Sequence, residues 1–334
     1  MKVGTINFAT HSGLGILTKE FYDNGIVNDI LVVKHETFTS HHEKWYPGAY
    51  SFNLWEKDND RIENWIKGLD VLFLFETNFI GGIIELAKKY NVGVALMPMY
   101  ECSPFPLDVD LYLVPSQIDY DYYKSIYPNK RIILLNVPAH SEIKWKLKEK
   151  ALTFTHNAGN NKFADRNGTK LLIDSLPYIK SDCKIRIKSQ VPIPGVNDPR
   201  VEIFDKDLPF KELWDTTDVF LFVERYNGLS LPIQESYASG CAVIAGNRYP
   251  INTWLPNKLL VNPTGYDQVK FPGGNGLPFN SAQYDPKDIA QKVDEIYGQD
   301  ISKYSLSGKL WAESNSWKVL GPRYLDLLES ICKK

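Results

Sequence analysis

Short apolar runs of strand length recur along this chain, and most are followed by a longer amphipathic stretch before the next begins. Residues 3–8, 30–33, 71–75, 92–97, 111–114 and 132–135 are such runs, and 17–24, 62–67 and 80–90 carry apolar residues at helical spacing between them. An uninterrupted apolar run bounded by turn residues has no polar face to offer water, so it reads as a strand covered on both sides. Covered strands alternating with helices build a parallel, doubly wound α/β sheet.

The rhythm breaks at 137–150, where Pro138 precedes the charged stretch KWKLKEK, and a solvated interdomain linker is expected there. It then resumes. Strands are expected at 152–156, 183–188, 201–204, 219–223, 242–245 and 259–261, and helices at 169–176, 232–239 and 288–298. The last segment, 317–332, places Val319, Leu320, Tyr324, Leu325, Leu327 and Leu328 at helical spacing. The expected organisation is two Rossmann-like domains, 1–145 and 146–315, and a closing helix within 316–334. Ligands of such sheets bind outside the carboxyl ends of the strands, so the default site is a cleft between the two domains.

Composition narrows the function classes. The 334 residues fit two domains at roughly 150 residues each. A content of 43% hydrophobic and 23% charged residues excludes wholesale disorder. Lys plus Arg (38) nearly cancels Asp plus Glu (40), so no global field draws nucleic acid, although a local basic groove stays open. Cys102, Cys183, Cys241 and Cys332 form no CxxC pair, which argues against zinc or a disulfide framework and fits a reducing cytosol. No apolar run approaches the ~20 residues that span a bilayer, and the first residues do not resemble a signal peptide, so a cytoplasmic protein is expected. No metal site is expected either. Asp108-Val109-Asp110 opens a strand and reads as structural. Of His11, His35, His41, His42, His140 and His156, only the neighbours His41 and His42 lie close in sequence, in what reads as a solvated loop. The aromatic and basic stretch 45–65 also reads as a solvated loop, with an acceptor groove as the alternative.

Two segments carry candidate chemistry. His11-Ser12-Gly13-Leu14-Gly15 follows the first strand and opens a helix. It reads as a tight turn or as a place where amides and a helix N-terminus meet an anion. A dinucleotide fingerprint would need a glycine where Thr18 stands, although Glu36 lies where an NAD-binding acid would. The second segment is Glu224-Arg-Tyr-Asn-Gly-Leu-Ser-Leu-Pro-Ile-Gln-Glu235, at the end of the strand VFLFV. The amides of Gly228, Leu229 and Ser230 suit a phosphate or a sugar hydroxyl, and Glu235 suits a ribose diol. The competing reading is a capped helix with a dipole-favoured Glu near its start.

The stretch FLFVERYNGLSLPIQESYASGCAVIAG resembles the C-terminal signature of family 4 glycosyltransferases of the GT-B fold, a strand followed by E-G-F-G-L-P-x-x-E, a helix and A-x-G-x-P-V-I-A. Residues 155–175 are similar to that family's G-R-x(n)-K-G-x-x-x-L-I-x-A segment. Ser12-Gly13-Leu14-Gly15 is similar to its glycine loop, DLYLVPS (110–116) to its strand before the linker, and Ser316-Trp317 with the last helix to the one that crosses back to the N-terminal domain. The resemblance implies a transferase, retaining and metal-independent, with a nucleotide-diphosphate sugar as substrate and no bound cofactor. It implies a catalytic set of Asn227, Gly228 and Glu235. Donor contacts would come from Gly13, Gly15, Lys162, Arg166, Lys188, Leu229, Ser230 and Glu235, and acceptor contacts from His11, Ser12 and Glu101, the last alternatively capping a loop. Asn227 stands where the family has Glu, and Asn160 and Asn167 stand where it has the Arg and Lys beside the diphosphate. The N-terminal domain would bind the acceptor and the C-terminal domain the donor. A glycan, a lipid-linked sugar, a protein side chain or a modified DNA base all remain open as acceptor, and no feature speaks to oligomeric state. The rival readings are an NAD(P)-dependent sugar oxidoreductase using Gly13, Gly15 and Glu36, and a nucleotide-sugar-binding module without turnover.

Overall fold

The computed structural model describes residues 1–35, 41–103, 107–159, 165–204, 210–271 and 274–333. The chain divides into two compact units, residues 1–138 with 317–334, and residues 139–316.

The first unit runs β1 (Val3–Asn7), α1 (Gly13–Asp23), β2 (Asp29–Lys34), β3 (Tyr50–Asn53), α2 (Asn59–Lys67), β4 (Val71–Phe75), α3 (Ile83–Lys89), β5 (Gly93–Met97), β6 (Leu111–Val114), α4 (Gln117–Ile126) and β7 (Ile132–Leu134). Its seven strands lie in the order β3-β2-β1-β4-β5-β6-β7, every pair parallel. β1, β4, β5 and β6 are buried at every position, as the apolar runs of β4, β5 and β6 require, and β1 buries the polar Thr5 and Asn7 as well. The stretch 45–65 is a correction in part: it contains β3, and α2 starts at Asn59, ahead of the helix expected at 62–67. β3 is a short edge strand of which only Phe52 is buried, so it shows no apolar run.

The second unit runs β8 (Thr153–Gly159), α5 (Thr169–Ser175), β9 (Lys184–Ser189), β10 (Val201–Phe204), α6 (Phe210–Asp215), β11 (Val219–Phe222), α7 (Leu231–Ala238), β12 (Ala242–Gly246), β13 (Leu260–Val261), β14 (Gly265–Lys270), β15 (Pro278–Gln283), α8 (Pro286–Ile296) and α9 (Ser302–Ser314). Six parallel strands take the order β10-β9-β8-β11-β12-β13, and β14 and β15 form a separate antiparallel hairpin. Core residues cover both faces of this sheet, with Ile185, Leu221 and Ile244 in one cluster and Phe220, Val243 and Ala245 in the other. The stretch 144–150 is exposed at 144, 146, 147, 149 and 150, as a solvated linker would be, but it is anchored at two residues. Lys148 is 4% exposed and its ammonium donates to the carbonyls of Trp214 and Asp215 at the end of α6, both at 2.9 Å. The Trp145 indole donates to the Ser305 carbonyl. Lysine stems bury readily where the head finds carbonyls.

The last helix, α10 (Trp317–Glu329), belongs to the first unit. Phe21 of α1 meets Trp317 and Tyr324 edge-on, with centroids 5.0 and 4.9 Å away. The Tyr324 hydroxyl lies 3.2 and 3.0 Å from the Leu135 and Asn136 carbonyls. No helix among the described residues is long and apolar enough to cross a membrane.

In each sheet the order in which strands are added reverses once, between β1 and β4 in one unit and between β8 and β11 in the other. At such a reversal the loops leaving the two strands diverge and open a crevice at their carboxyl ends. The two sequence motifs sit at these two points.

Candidate functional site

In the second unit, β11 ends at Phe222 and the chain turns through Glu224–Ser230 into α7. Ser230 adopts φ 55° and ψ 59°, a left-handed conformation unusual for a residue with a Cβ. Its hydroxyl does not cap α7. It bonds Glu224 Oε1 instead. The amides of Gly228, Leu229 and Ser230 have no protein acceptor among the described residues. Three consecutive free donors ahead of a helix N-terminus form a ready site for a phosphate or a hydroxyl. Glu235 is half-buried in the second turn of α7.

Beneath this loop lies an ion pair that the sequence motif does not reveal. Glu224 is fully buried, Arg248 is 2% exposed, and their side chains are paired. Arg248 also donates to the carbonyls of Glu224 (3.2 Å), Asn227 (3.1 Å) and Tyr249 (3.1 Å). The Asn227 amide donates to Glu224 Oε2 at 3.1 Å. One signal was available in the sequence: a Glu ending a buried apolar run needs a partner.

The loop leaving β8 approaches the same place. Gly168 has φ 76°, and a Cβ there would lie 2.2 Å from the Val223 carbonyl. Arg225 N donates to Arg166 O at 2.8 Å, tying the two loops of the switch point together. The Arg166 guanidinium sits 5.3 Å from the Phe271 ring centroid. Lys188, near the end of β9, is half-buried and registers with Asn157 of β8. Asn167 turns inward, its amide donating to the Asn157 and Ala158 carbonyls at 3.2 Å, so it braces the loop. Asn160 and Lys162 lie outside the described residues. Thus Arg166, Asn227, Gly228, Leu229, Ser230 and Glu235 come together at the β8–β11 switch point, with Lys188 at the neighbouring strand end.

In the first unit, Ser12 caps α1 by accepting from Gly15 N at 3.1 Å. A Cβ on Gly15 would lie 2.1 Å from the Thr10 carbonyl, so this glycine is required by the turn, whereas Gly13 faces open space. Thr18 is buried and donates to the Leu14 carbonyl at 2.9 Å while accepting from the Asn7 amide. A packed hydroxyl therefore occupies the third-glycine place of a dinucleotide fingerprint, and Glu36 lies outside the described residues. His11 is exposed and meets His42 edge-on at 4.3 Å, while His42 stacks on Trp45 at 5.0 Å. His42 is therefore packed, correcting the solvated loop expected at 41–42. The aromatic faces flanking it supply the reason.

Glu101 lies beyond β5 on the same carboxyl edge and is 8% exposed. Two further carboxyls join it that sequence reading missed. Glu76, beyond β4, has φ 60°, and desolvation and then Glu101 push its carboxyl up to about 7. Asp119 of α4 is fully buried, and burial holds its carboxyl well above the usual range. Asp108 pairs with Lys88 and Lys130, and Asp110 with Lys333. Among the described residues, no group of three or more His, Cys, Asp or Glu converges to hold a metal ion.

Comparison with protein-family profiles and with curated protein sequences finds no match. Solved structures do match. Anabaena HepE in complex with UDP is similar over 99% of this chain and 100% of that one, with a TM-score of 0.69 and 10% identity. Sucrose-phosphate synthase from Thermosynechococcus elongatus is similar over 99% of each chain, with a TM-score of 0.65 and 12% identity. A structure of the GtfA/B complex is similar over 82% of this chain and 61% of that one, with a TM-score of 0.56 and 13% identity. This chain thus spans less than two thirds of that protein's length. Identities this low speak for shared architecture and leave activity to the site. Over 99% of its length, then, the chain adopts the GT-B fold of glycosyltransferases.

Proposed function

We propose that the protein is a glycosyltransferase that moves a sugar from a nucleoside diphosphate sugar to a hydroxyl-bearing acceptor. The observation that carries this reading is the run of free amides at Gly228, Leu229 and Ser230. They stand at a switch point of a fold shared end to end with HepE, which has been solved with UDP and with UDP-glucose. In this reading the second unit holds the donor. Glu235 accepts from the ribose diol, the 228–230 amides and the α7 N-terminus meet the diphosphate or sugar, and Arg166, Lys162 and Lys188 supply positive charge. Gly13 and Gly15 are kept as donor contacts on the strength of the family 4 resemblance alone. His11, Ser12 and Glu101 contact the acceptor on the first unit.

Transfer breaks the bond between the sugar anomeric carbon and the diphosphate oxygen and forms one to the acceptor oxygen, whose proton leaves with the diphosphate or a nearby base. Charge grows on the departing diphosphate, and fixed amide dipoles and guanidinium groups aimed there lower the barrier. The resemblance of 224–245 to family 4 transferases supports retention of configuration without a metal. The four free cysteines are in keeping with a cytoplasmic setting.

A thermal-shift and calorimetric panel of UDP, GDP, ADP, CDP, TDP and NAD tests the reading. A ligand at 100 times its Kd adds about 2.7 kcal/mol of stability, a clear rise in Tm. A response to one nucleoside diphosphate, with UDP the first expectation, supports the proposal. A response to NAD alone, or to none, overturns it.

A further inference from the structure

Glu224 and Arg248 are the most deeply buried charges near the loop, yet neither belongs to the donor set above. A buried ion pair is a poor device for stability, because desolvating two charges offsets most of their attraction. Its contacts point to another use. Arg248 holds the Glu224 and Asn227 carbonyls, and Glu224 holds the Ser230 hydroxyl and the Asn227 amide. These four contacts all fall on the 224–230 turn, which also contains left-handed Ser230.

The side chain of Asn227 is decided by this arrangement. An ionised carboxylate accepts hydrogen bonds and donates none. Glu224 therefore fixes which end of the Asn227 amide faces inward: Nδ2 points to Glu224 Oε2, and Oδ1 points away. Asn227 is half-buried, and no protein donor reaches its Oδ1 among the described residues. A carboxylate at 227 would instead set an oxygen against Glu224, with like charges at hydrogen-bond distance.

We infer that the Glu224–Arg248 pair is a positioning device that turns the side-chain oxygen of Asn227, Oδ1, toward the donor sugar. The loop then presents one neutral acceptor at 227 to a sugar hydroxyl, and its single carboxylate stays buried at 224. Glu224 and Arg248 act through Asn227 and touch no ligand themselves. This rests on the donor-site reading above and on the sugar contact that the resemblance gives to position 227, and adds what orients that contact.

The test compares UDP with UDP-glucose, because only the second carries the sugar. Asn227→Asp keeps the shape of the side chain but replaces the inward donor with a second carboxylate oxygen. It is expected to leave UDP affinity within about twofold and to lower UDP-glucose affinity about tenfold or more. In the double variant Glu224→Gln with Asn227→Asp, the amide introduced at 224 donates to the carboxylate introduced at 227, and the charge balance with Arg248 is kept. It is expected to recover much of the lost preference for UDP-glucose, a non-additivity that simple loosening of the loop would not produce. A second readout needs no ligand. The Asn227 side-chain amide protons, followed by NMR, are expected to exchange slowly in the wild-type protein and rapidly in Glu224→Gln.

An Asn227→Asp protein that binds both ligands as wild type does, or an Asn227 amide that exchanges freely, overturns the inference. Failure of the wild-type protein to bind either UDP or UDP-glucose withdraws the donor-site reading instead, and the exchange measurement still decides how Asn227 is held.

Discussion

At the scale of single residues, Glu235 carries the clearest expectation. Each hydrogen bond from a ribose hydroxyl to a carboxylate contributes about 1.5–3 kcal/mol. With even one such bond lost, Glu235→Ala should weaken UDP binding at least about tenfold by calorimetry, with an unchanged unfolding midpoint. An unchanged Kd would remove Glu235 from the site. His156 makes a different prediction. The Leu221 carbonyl can only accept, so Nδ1 carries the proton and Nε2 accepts from the Thr169 hydroxyl, at 2.9 and 2.8 Å. Burial pushes this imidazole down to about 4, below the ordinary 6.5. The unfolded chain thus takes up its proton first as pH falls. The stability this group contributes is complete above about pH 6.5 and is lost on the way down to 4, roughly 2–3 kcal/mol by pH 4.5. Urea unfolding at pH 7 and 4.5 should show that loss, and His156→Gln should flatten it. The motif residues were legible because 224–235 is local: turn letters, a strand before them and a helix after. Arg248 was not, since it meets Glu224 across 24 residues of chain. Glu76 and Asp119 were missed because a lone acid in sequence reads as surface, and only packing shows Asp119 buried and Glu76 half-buried.

At the scale of elements, the strands covered on both faces, such as β4, β5 and β11, were legible, and so were the more exposed edge strands β7 and β10, whose runs are short but rich in β-branched residues. Those that were not lack an apolar run. The β14–β15 hairpin exposes most of β14, and β3 is an edge. Helix α9 is the instructive omission. Its buried residues are Ser305 and Gly308, so its packing face is small rather than apolar and gives no hydrophobic period. The small residues bring it close to α7: a Cβ on Gly308 would lie 2.2 Å from the Tyr237 carbonyl, and the Tyr237 hydroxyl bonds Ser307 Oγ at 2.7 Å. Gly308→Ala should cost about 1–3 kcal/mol by forcing the two helices apart. Because α7 also carries Glu235, the same change should raise the Kd for UDP, although residue 308 lies on a different helix from Glu235. Unaltered stability and affinity would show that α7 and α9 yield without effect on the site.

At the scale of the whole molecule, the βαβ rhythm revealed both sheets, but the allocation of residues to them needed tertiary contacts. The stretch 139–150 joins the second unit through Lys148 and Trp145, which no local pattern announces. Residues 317–334 join the first unit. Leu320, Tyr324 and Leu328 of α10 are each at most 3% exposed. Emptying even one such site typically costs about 2–5 kcal/mol, against a total of about 5–15 for a domain. A chain ending at 316 should therefore lose the calorimetric transition of the first unit or show it at much lower temperature, while that of the second unit persists. Persistence of both would mean that α10 merely rests on the first unit. The same discontinuity bears on synthesis. A ribosome releases residues 1–138 first, yet Phe21 of α1 waits for Trp317 and Tyr324. At about 5–20 residues per second, that interval is roughly 10–40 s. The unit encoded first is thus completed last, and for that time its aromatic surface is available to chaperones.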